Sequence, residues 1–247
     1  GFEGFEELRR PFVNHLAGGL PMAALQRTDP TPIRFAAAPE ASAQLNLLQQ
    51  RNVASVLALN TAARIEAAAD AMLQAKNVYF LGLRVCHGVA FHLHYVYGLL
   101  AANGTLINDL GGTMADQITR LERDDLLIAI SQSPYTRQTV EGVQLAHEQG
   151  AAVLAMTDAA LAPIARRAQH VLLFETATSS FFQSTLGAEA LAEALVATLA
   201  ARGGVAAQRR LRQMQEHLRR TRAYWERPAS ARAPRTNAET DPMEISN

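Results

Sequence analysis

The sequence predicts an α/β fold in which a five-stranded parallel sheet is sandwiched between helices. Two observations carry this prediction. First, five short apolar runs alternate with longer segments of helical periodicity between residues 78 and 201. Second, each run is apolar on successive residues, which is typical of strands buried on both faces of a parallel sheet. Strands joined by helical crossovers give a doubly wound sheet with right-handed connections.

The elements follow one another in a regular order. We expect strands at residues 78–81, 105–107, 126–130, 152–156 and 171–174. Apolar residues at spacings of three and four predict the connecting helices, at about 88–101, 114–121, 135–149, 161–168 and 181–201. The same spacing over 41–75 predicts one long helix or two. Ligands of such folds bind outside the carboxyl ends of the strands, so a site is expected there.

Composition divides the chain into further regions. A short amphipathic helix is predicted within residues 1–27, a proline-containing linker over 28–40, the α/β domain over 41–202, a basic amphipathic helix over 203–227, and a disordered tail over 228–247. The net charge of zero is uneven, because residues 1–200 carry 13 basic and 18 acidic groups, whereas 201–247 carry 10 and 5. The body is therefore acidic and the carboxyl-terminal helix basic.

Several protein classes are excluded. A single cysteine, Cys86, cannot form an intrachain disulfide, which favours a reducing cytoplasm. The most apolar stretch, 186–201, is interrupted by Glu189 and Glu193 and is too short to span a membrane. The start has neither an initiator methionine nor an export signal, so we expect a cytoplasmic protein and a piece of a longer chain.

The strongest local signal follows the third predicted strand. Five hydroxyl groups and a guanidinium occupy the loop and the first turn of the next helix: Ser131, Ser133, Tyr135, Thr136, Arg137 and Thr139. Hydroxyl donors beside the free N–H groups of a helix amino terminus form a cradle for a phosphate or carboxylate. The alternative is local: Ser133 caps the helix and Pro134 is its first residue. The two roles are compatible.

Other strand ends supply further candidates. After the first strand, Gly82 permits close backbone approach and Arg84 can bind an anion, whereas Cys86 is expected to be a buried pocket wall because no general base lies on its side of the helix. After the fifth strand, Ser179 and Ser180 belong to a hydroxyl-rich segment that completes the pocket or caps the next helix.

Two residue pairs on predicted helices are candidates for a metal site and for an acid–base pair, and both are less informative. His92 and His94 lie about 200° apart on a helix and cannot share a metal. Glu189 and Glu193 share a helical face, which suits either an acid–base role or a solvated surface. We expect no metal and no cofactor.

With the loops placed, residues 40–202 resemble the sugar isomerase (SIS) domain, a flavodoxin-like fold, as it occurs in bacterial RpiR/MurR-type transcriptional regulators. Four segments carry the resemblance in the same order: Ser-x-Ser-x-x-Thr at 131–136, Gly-Gly-Thr-x-x-Asp-Gln at 111–117, Thr-Asp-x-x-Leu-x-Pro-x-Ala at 157–165 and Ser-Ser-Phe-Phe-x-Ser at 179–184. Three positions depart from the family pattern: Arg84 and Cys86 replace a glycine and a serine of the first loop, and Pro134 replaces a glycine.

The resemblance implies a transcriptional regulator whose SIS domain senses a phosphorylated sugar or a related anionic metabolite. Residues 1–9 resemble the end of the family's helix-turn-helix domain, so operator DNA would be bound by a region largely absent from this sequence. A homodimer or homotetramer is implied as well. The implied ligand-binding residues are Gly82, Arg84, Cys86, Ser131, Ser133, Tyr135, Thr136, Arg137, Ser179 and Ser180.

Two alternatives stay open. The same domain elsewhere catalyses aldose–ketose isomerisation of sugar phosphates, for which Glu189 and His87 are the candidate general bases. The arginine-rich last helix can also bind nucleic acid, although its stripe of Leu211, Met214, Leu218 and Trp225 is more typical of docking on a core or a dimer partner.

Overall fold

The sheet of this protein has five parallel strands in the order β2-β1-β3-β4-β5. The computed structural model describes residues 38–180 and 182–225. The strands are Val78–Gly82 (β1), Gly104–Ile107 (β2), Leu126–Ser131 (β3), Ala152–Thr157 (β4) and His170–Leu173 (β5). The predicted five-stranded parallel α/β fold is confirmed. The predicted helix within 1–27, the linker up to residue 37 and the tail at 228–247 lie outside the described residues.

The helices surround this sheet. They are Ala38–Leu59 (α1), Ala62–Gln74 (α2), Cys86–Leu100 (α3), Met114–Ile118 (α4), Arg137–Glu148 (α5), Leu186–Arg202 (α6) and Gly204–Arg220 (α7), with 3₁₀ helices at Leu110–Gly112 and Pro163–Arg167. The region 41–75 therefore forms two helices. The second begins at a capped end, because the hydroxyl of Thr61 accepts a hydrogen bond from the backbone N–H of Arg64.

Three predicted helix bounds are wrong. The helix expected over 161–168 is only the 3₁₀ helix Pro163–Arg167, because Ala168 is already extended toward β5. The helix expected from residue 181 begins at Leu186, since the chain after β5 is held extended by bonds to α1. The last helix, expected over 203–227, ends at Arg220: Arg222 has a φ of +51°, and the N–H of Ala223 bonds the carbonyl of Leu218, which closes the helix.

The sheet is the middle of three layers. On one face α1, α2, α3 and α6 pack over a core that includes Phe80, Ile128, Leu154 and Leu195. On the other face α4, α5 and the 3₁₀ helix Pro163–Arg167 cover a second core. All six residues of β3 are buried. Burial on both faces explains why the strands are apolar on successive residues.

The edge strand β5 is completed by a side chain instead of another strand. Asn60, directly after α1, is 2% exposed. Its amide oxygen accepts from the N–H of Leu173 at 2.8 Å, and its amide nitrogen donates to the carbonyl of Leu173 at 2.7 Å. One asparagine thus satisfies a backbone pair that a further strand would otherwise bond.

Contacts divide the chain into two compact units after Leu211. The first contains the sheet and its helices. The second, described over 212–225, is the end of α7 and the turn after it, in which Arg219 and Glu216 form an exposed ion pair at 3.5 Å and Trp225 is exposed. Within the described residues no single helix has the length and hydropathy to cross a bilayer, and α6 and α7 meet the criterion only together, as a strongly bent pair.

Replacing Asn60 by alanine is expected to lower the free energy of unfolding by about 2–4 kcal/mol, because the N–H and the carbonyl of Leu173 would lose their partner at a buried edge. Chemical denaturation measures the change. The exposed Asn46 on α1 provides the control, since its alanine variant should stay within about 0.5 kcal/mol of wild type. Equal effects of the two substitutions would contradict this account of the β5 edge.

Candidate functional site

The candidate site lies where the strand order reverses. From β1 the chain proceeds outward to β2, whereas β3, β4 and β5 extend the sheet in the opposite direction. Gly82 at the end of β1 is in register with Ile130. The loops after β1 and β3 therefore leave the sheet side by side, at the carboxyl ends of the strands. A crevice between such loops is where doubly wound sheets bind their ligands.

The loop after β3 brings three hydroxyls to this edge. Ser131 is the last residue of β3, pairs with Thr157 and is buried. Ser133 precedes a cis peptide bond to Pro134, and Thr136 is the N-cap of α5. The hypothesis that Ser133 caps the helix with Pro134 as its first residue is wrong. The helix begins only at Arg137, because the backbone of Ser133 is bonded to the β4 loop instead.

The same three hydroxyls are free to bind a ligand. Within the described part of the chain, the side chains of Ser131, Ser133 and Thr136 have no hydrogen-bond partner, and Thr136 makes no side-chain cap bond. The first N–H groups of α5 have no partner within the helix and carry its positive dipole end. We name this group of hydroxyls and N–H groups the cradle. Its chemistry suits an oxyanion.

Gln132 is a site residue that sequence reasoning missed. Gln132 is 4% exposed, and no group of residues 38–180 or 182–225 forms a hydrogen bond with its amide oxygen or its amide nitrogen. Buried amides without partners are rare in folded proteins, and a ligand is one way to satisfy them. The signal was its position between Ser131 and Ser133 at a strand end, where folds of this class bind their ligands.

Asp158 is the second candidate that sequence reasoning missed. It ties the loop after β3 to the end of β4. Its carboxylate accepts from the N–H of Ser133 at 3.1 Å and from the hydroxyl of Thr157 at 3.3 Å. Burial raises the pKa of the nearby Tyr135 hydroxyl, and the negative charge of this carboxylate raises it further. Tyr135 is therefore brought to the site, half-buried beside Asp158.

The loop after β1 is packed closely. A Cβ on Gly82 would collide with the carbonyl of Cys86, so glycine is required there. Cys86 is buried, and burial raises the pKa of its thiol to about 11, which suits a pocket wall and not a nucleophile. His87 contacts the carbonyl of Gly82 through Nδ1 at 3.2 Å. Arg84 is exposed and has a φ of +55°, a conformation that strains residues with a Cβ.

Arg137 is not brought into the cradle. Its Nε donates to Glu141 at 2.6 Å on the exposed face of α5.

The two serines after β5 lie further along the sheet. Ser179 is exposed and Ser180 is half-buried, with its N–H donating to the hydroxyl of Thr178. They follow β5, at the same sheet edge as the cradle but two strands away from β3.

The glutamate considered as a general base has a partner. Nδ1 of His92 lies 2.6 Å from a carboxylate oxygen of Glu189, which joins α3 to the first turn of α6. Glu193 is exposed on the same helix. Among the described residues no group of three His, Cys, Asp or Glu side chains is placed to hold a metal ion.

Comparison with known families agrees with this geometry. The family profile described as the SIS domain matches residues 71–202, which is more than half of the chain. The chain belongs to the SIS domain family. The resemblance noted in the sequence is thereby confirmed, and the cradle lies inside the matched region.

Solved structures share the SIS fold. The sugar isomerase domain of the RpiR transcription factor from Sphaerobacter thermophilus is 29% identical, covers 72% of this chain and 99% of its own, and superposes with a TM-score of 0.68. The NanR protein of Vibrio vulnificus, in complex with ManNAc-6P, is 18% identical and covers 91% of this chain and 78% of its own, with a TM-score of 0.66.

Two curated relatives match this chain over shorter stretches. A glutamine–fructose-6-phosphate aminotransferase (isomerizing) from Pyrobaculum aerophilum is 32% identical over 124 residues, which are 50% of this chain and 20% of the relative. An HTH-type transcriptional regulator from Clostridium perfringens is 25% identical over 112 residues, 45% of this chain and 40% of the relative. The chain thus matches less than half of the length of either protein.

Replacing Arg84 by glycine is expected to raise the free energy of unfolding by roughly 0.5–1 kcal/mol, because glycine adopts a φ of +55° without steric strain. Arg84→Ala is the matched control: it removes the same charge but keeps a Cβ at this position, so it should bring no stabilisation. Thermal and denaturant unfolding of the pair tests this. A glycine variant no more stable than the alanine variant would contradict the strain at residue 84.

Proposed function

We propose that this protein binds a phosphorylated sugar, or a related anionic metabolite, in the cradle. The observation that carries the proposal is that three hydroxyls, those of Ser131, Ser133 and Thr136, have no partner among the described residues and lie between the end of β3 and the start of α5, at the reversal of strand order. A phosphate group accepts several hydrogen bonds at once, and this arrangement supplies them together with a favourable helix dipole.

Neighbouring residues complete the proposed site. The unpartnered amide of Gln132 can donate to the phosphate or bond a sugar hydroxyl, and Arg84 on the adjacent loop adds a positive charge. Gly82 and Cys86 form the wall next to the cradle. Tyr135 lies beside Asp158, while Ser179 and Ser180 close the pocket from the β5 side. Arg137 is the weakest member of the proposed set, because Glu141 already binds its guanidinium.

We further propose that binding serves regulation of transcription. Similarity to the RpiR domain and to the HTH-type regulator supports a sugar-sensing regulator, cytoplasmic and homodimeric or homotetrameric, in which a helix-turn-helix region binds operator DNA. The effector would act by binding more tightly to one of two conformations, since only a difference in affinity shifts their populations. Contact with nucleic acid through the basic end of α7 is a secondary proposal.

The alternative is an aldose–ketose isomerase. The contact between His92 and Glu189 favours it, because a histidine that holds a carboxylate can orient a general base. The aminotransferase relative, which is named as isomerizing, supports it as well. His87 is the weaker candidate, since its Nδ1 contacts the backbone of Gly82.

Substituting both Ser133 and Thr136 by alanine is expected to weaken binding of sugar phosphates by about 10- to 100-fold, because two donors to the anion are lost at about 1 kcal/mol or more each. Isothermal titration calorimetry with fructose 6-phosphate, glucosamine 6-phosphate and N-acetylmannosamine 6-phosphate measures the affinity. Thr198→Ala is the control, because that hydroxyl bonds only the carbonyl of Ala194 within α6. Absence of binding by wild type, or unchanged binding by the double variant, would overturn the proposal.

A coupled assay for interconversion of the same sugar phosphates separates the two functions. A regulator should show no turnover above the uncatalysed rate. Turnover by wild type that is lost in Glu189→Gln, with folding and binding retained, would establish the isomerase instead.

A further inference from the structure

The segment that follows β5 is bonded to α1 and not to the cradle loop. Asn52, which is fully buried on α1, donates from its amide nitrogen to the carbonyl of Ala177 at 2.7 Å and accepts from the N–H of Ala177 at 3.0 Å. Both hydrogen-bonding groups of one backbone residue are thus held by one side chain. Ala177 lies two residues before Ser179, so this bond sets where the proposed pocket-closing serines stand.

Two further residues of α1 hold the same segment. The hydroxyl of Ser55 accepts from the N–H of Glu175 at 3.0 Å. The side chain of Glu175 accepts two bonds from Arg51, at 2.8 and 3.3 Å. Arg51, Asn52 and Ser55 lie within one turn of α1 and reach neighbouring residues of the segment. The attachment is therefore made by consecutive contacts, which transmit a displacement better than a single bond.

The other side of the segment is packed against α6. Gly187, in the first turn of α6, lies so close that a Cβ there would be 2.5 Å from the carbonyl oxygen of Glu175 and 3.2 Å from that of Asn52. The backbones of the segment after β5, of α1 and of α6 therefore lie close together at Gly187. A shift of the segment has no free space to absorb it and must move α1 or α6.

We propose that Asn52 is a positioning residue for Ser179 and Ser180, and that through it α1 responds to occupancy of the pocket. This inference rests on the proposed function, because it assumes that a sugar phosphate is bound beside these serines. When the serines move onto the ligand, the segment carries Ala177 and Glu175 with it, and the bonds to Asn52, Ser55 and Arg51 carry the movement into α1. The helix begins at Ala38, so the movement extends to the amino-terminal end of the described chain.

Asn60 offers a matched control for Asn52. It forms the same pair of bonds with one backbone residue, Leu173, but that residue lies within β5 and not in the segment that carries the serines. Both asparagines are buried. Their alanine variants therefore each release both groups of one backbone residue at similar burial. Asn60→Ala additionally removes a bond to the carbonyl of Val56, at 2.8 Å.

The experiment compares Asn52→Ala, Asn60→Ala and wild type in two measurements. Hydrogen exchange without ligand should show faster exchange at residues 175–180 in Asn52→Ala only. Calorimetry should show that Asn52→Ala weakens binding of fructose 6-phosphate or N-acetylmannosamine 6-phosphate, whichever wild type binds more tightly, by about tenfold or more, and that Asn60→Ala changes it by less than about threefold. On ligand addition, protection of residues 42–59 should rise in wild type and not in Asn52→Ala.

Each contrary result is informative. Equal losses of affinity in the two variants, or unchanged exchange at residues 175–180 in Asn52→Ala, would overturn the positioning role. Unaltered ligand-dependent protection of α1 in Asn52→Ala would overturn the coupling. If wild type binds neither sugar phosphate, the proposed function fails, and exchange without ligand still decides whether Asn52 holds the segment. Should Asn52→Ala fail to fold, Ser55→Ala releases the N–H of Glu175, together with a bond to the carbonyl of Asn52 within α1, and is compared with Asn60→Ala in the same two measurements.

Discussion

Strand β3 is the constraint on which the rest of the structure depends. All six of its residues are buried, so every backbone group must be bonded to a neighbouring strand, and β1 and β4 supply those bonds on its two sides. The strand order reverses between β1 and β3. Because β3 ends with Ser131, the same strand that completes the core delivers the first hydroxyl of the cradle to that reversal.

Side chains connect the loops at this sheet edge. Asp158 ties the cradle loop to β4 through the N–H of Ser133, and Asn52 ties the segment after β5 to α1 through Ala177. In both cases a polar side chain holds loop backbone in place: Asn52 is fully buried, and Asp158 is half-buried. The site proposed here is therefore assembled by polar residues outside the ligand-binding set. Arg84 adds the positive charge at a strained backbone position.

The sequence allowed the fold to be predicted, for reasons that are visible in particular residues. Runs such as 126–130 are apolar at every position because both faces of the sheet are covered, and strand ends locate hydroxyls such as Ser133. The start of α5 was predicted incorrectly, since propensity places Ser133 and Pro134 at a helix start, whereas a bond from Asp158, 25 residues away, holds Ser133 outside the helix. Gln132 and Asn52 escaped notice because only tertiary packing buries them.

Titration with inorganic phosphate, followed by the amide chemical shifts of the ¹⁵N-labelled protein, tests the central claim most directly. The account predicts saturable shifts at residues 131–139 and at the neighbouring loop of Gly82 and Arg84, with chloride at matched ionic strength producing none. This outcome requires only the cradle and does not depend on which sugar is the effector. Saturable shifts confined to another region, such as the arginines of α7, or no shifts at millimolar phosphate, would contradict it.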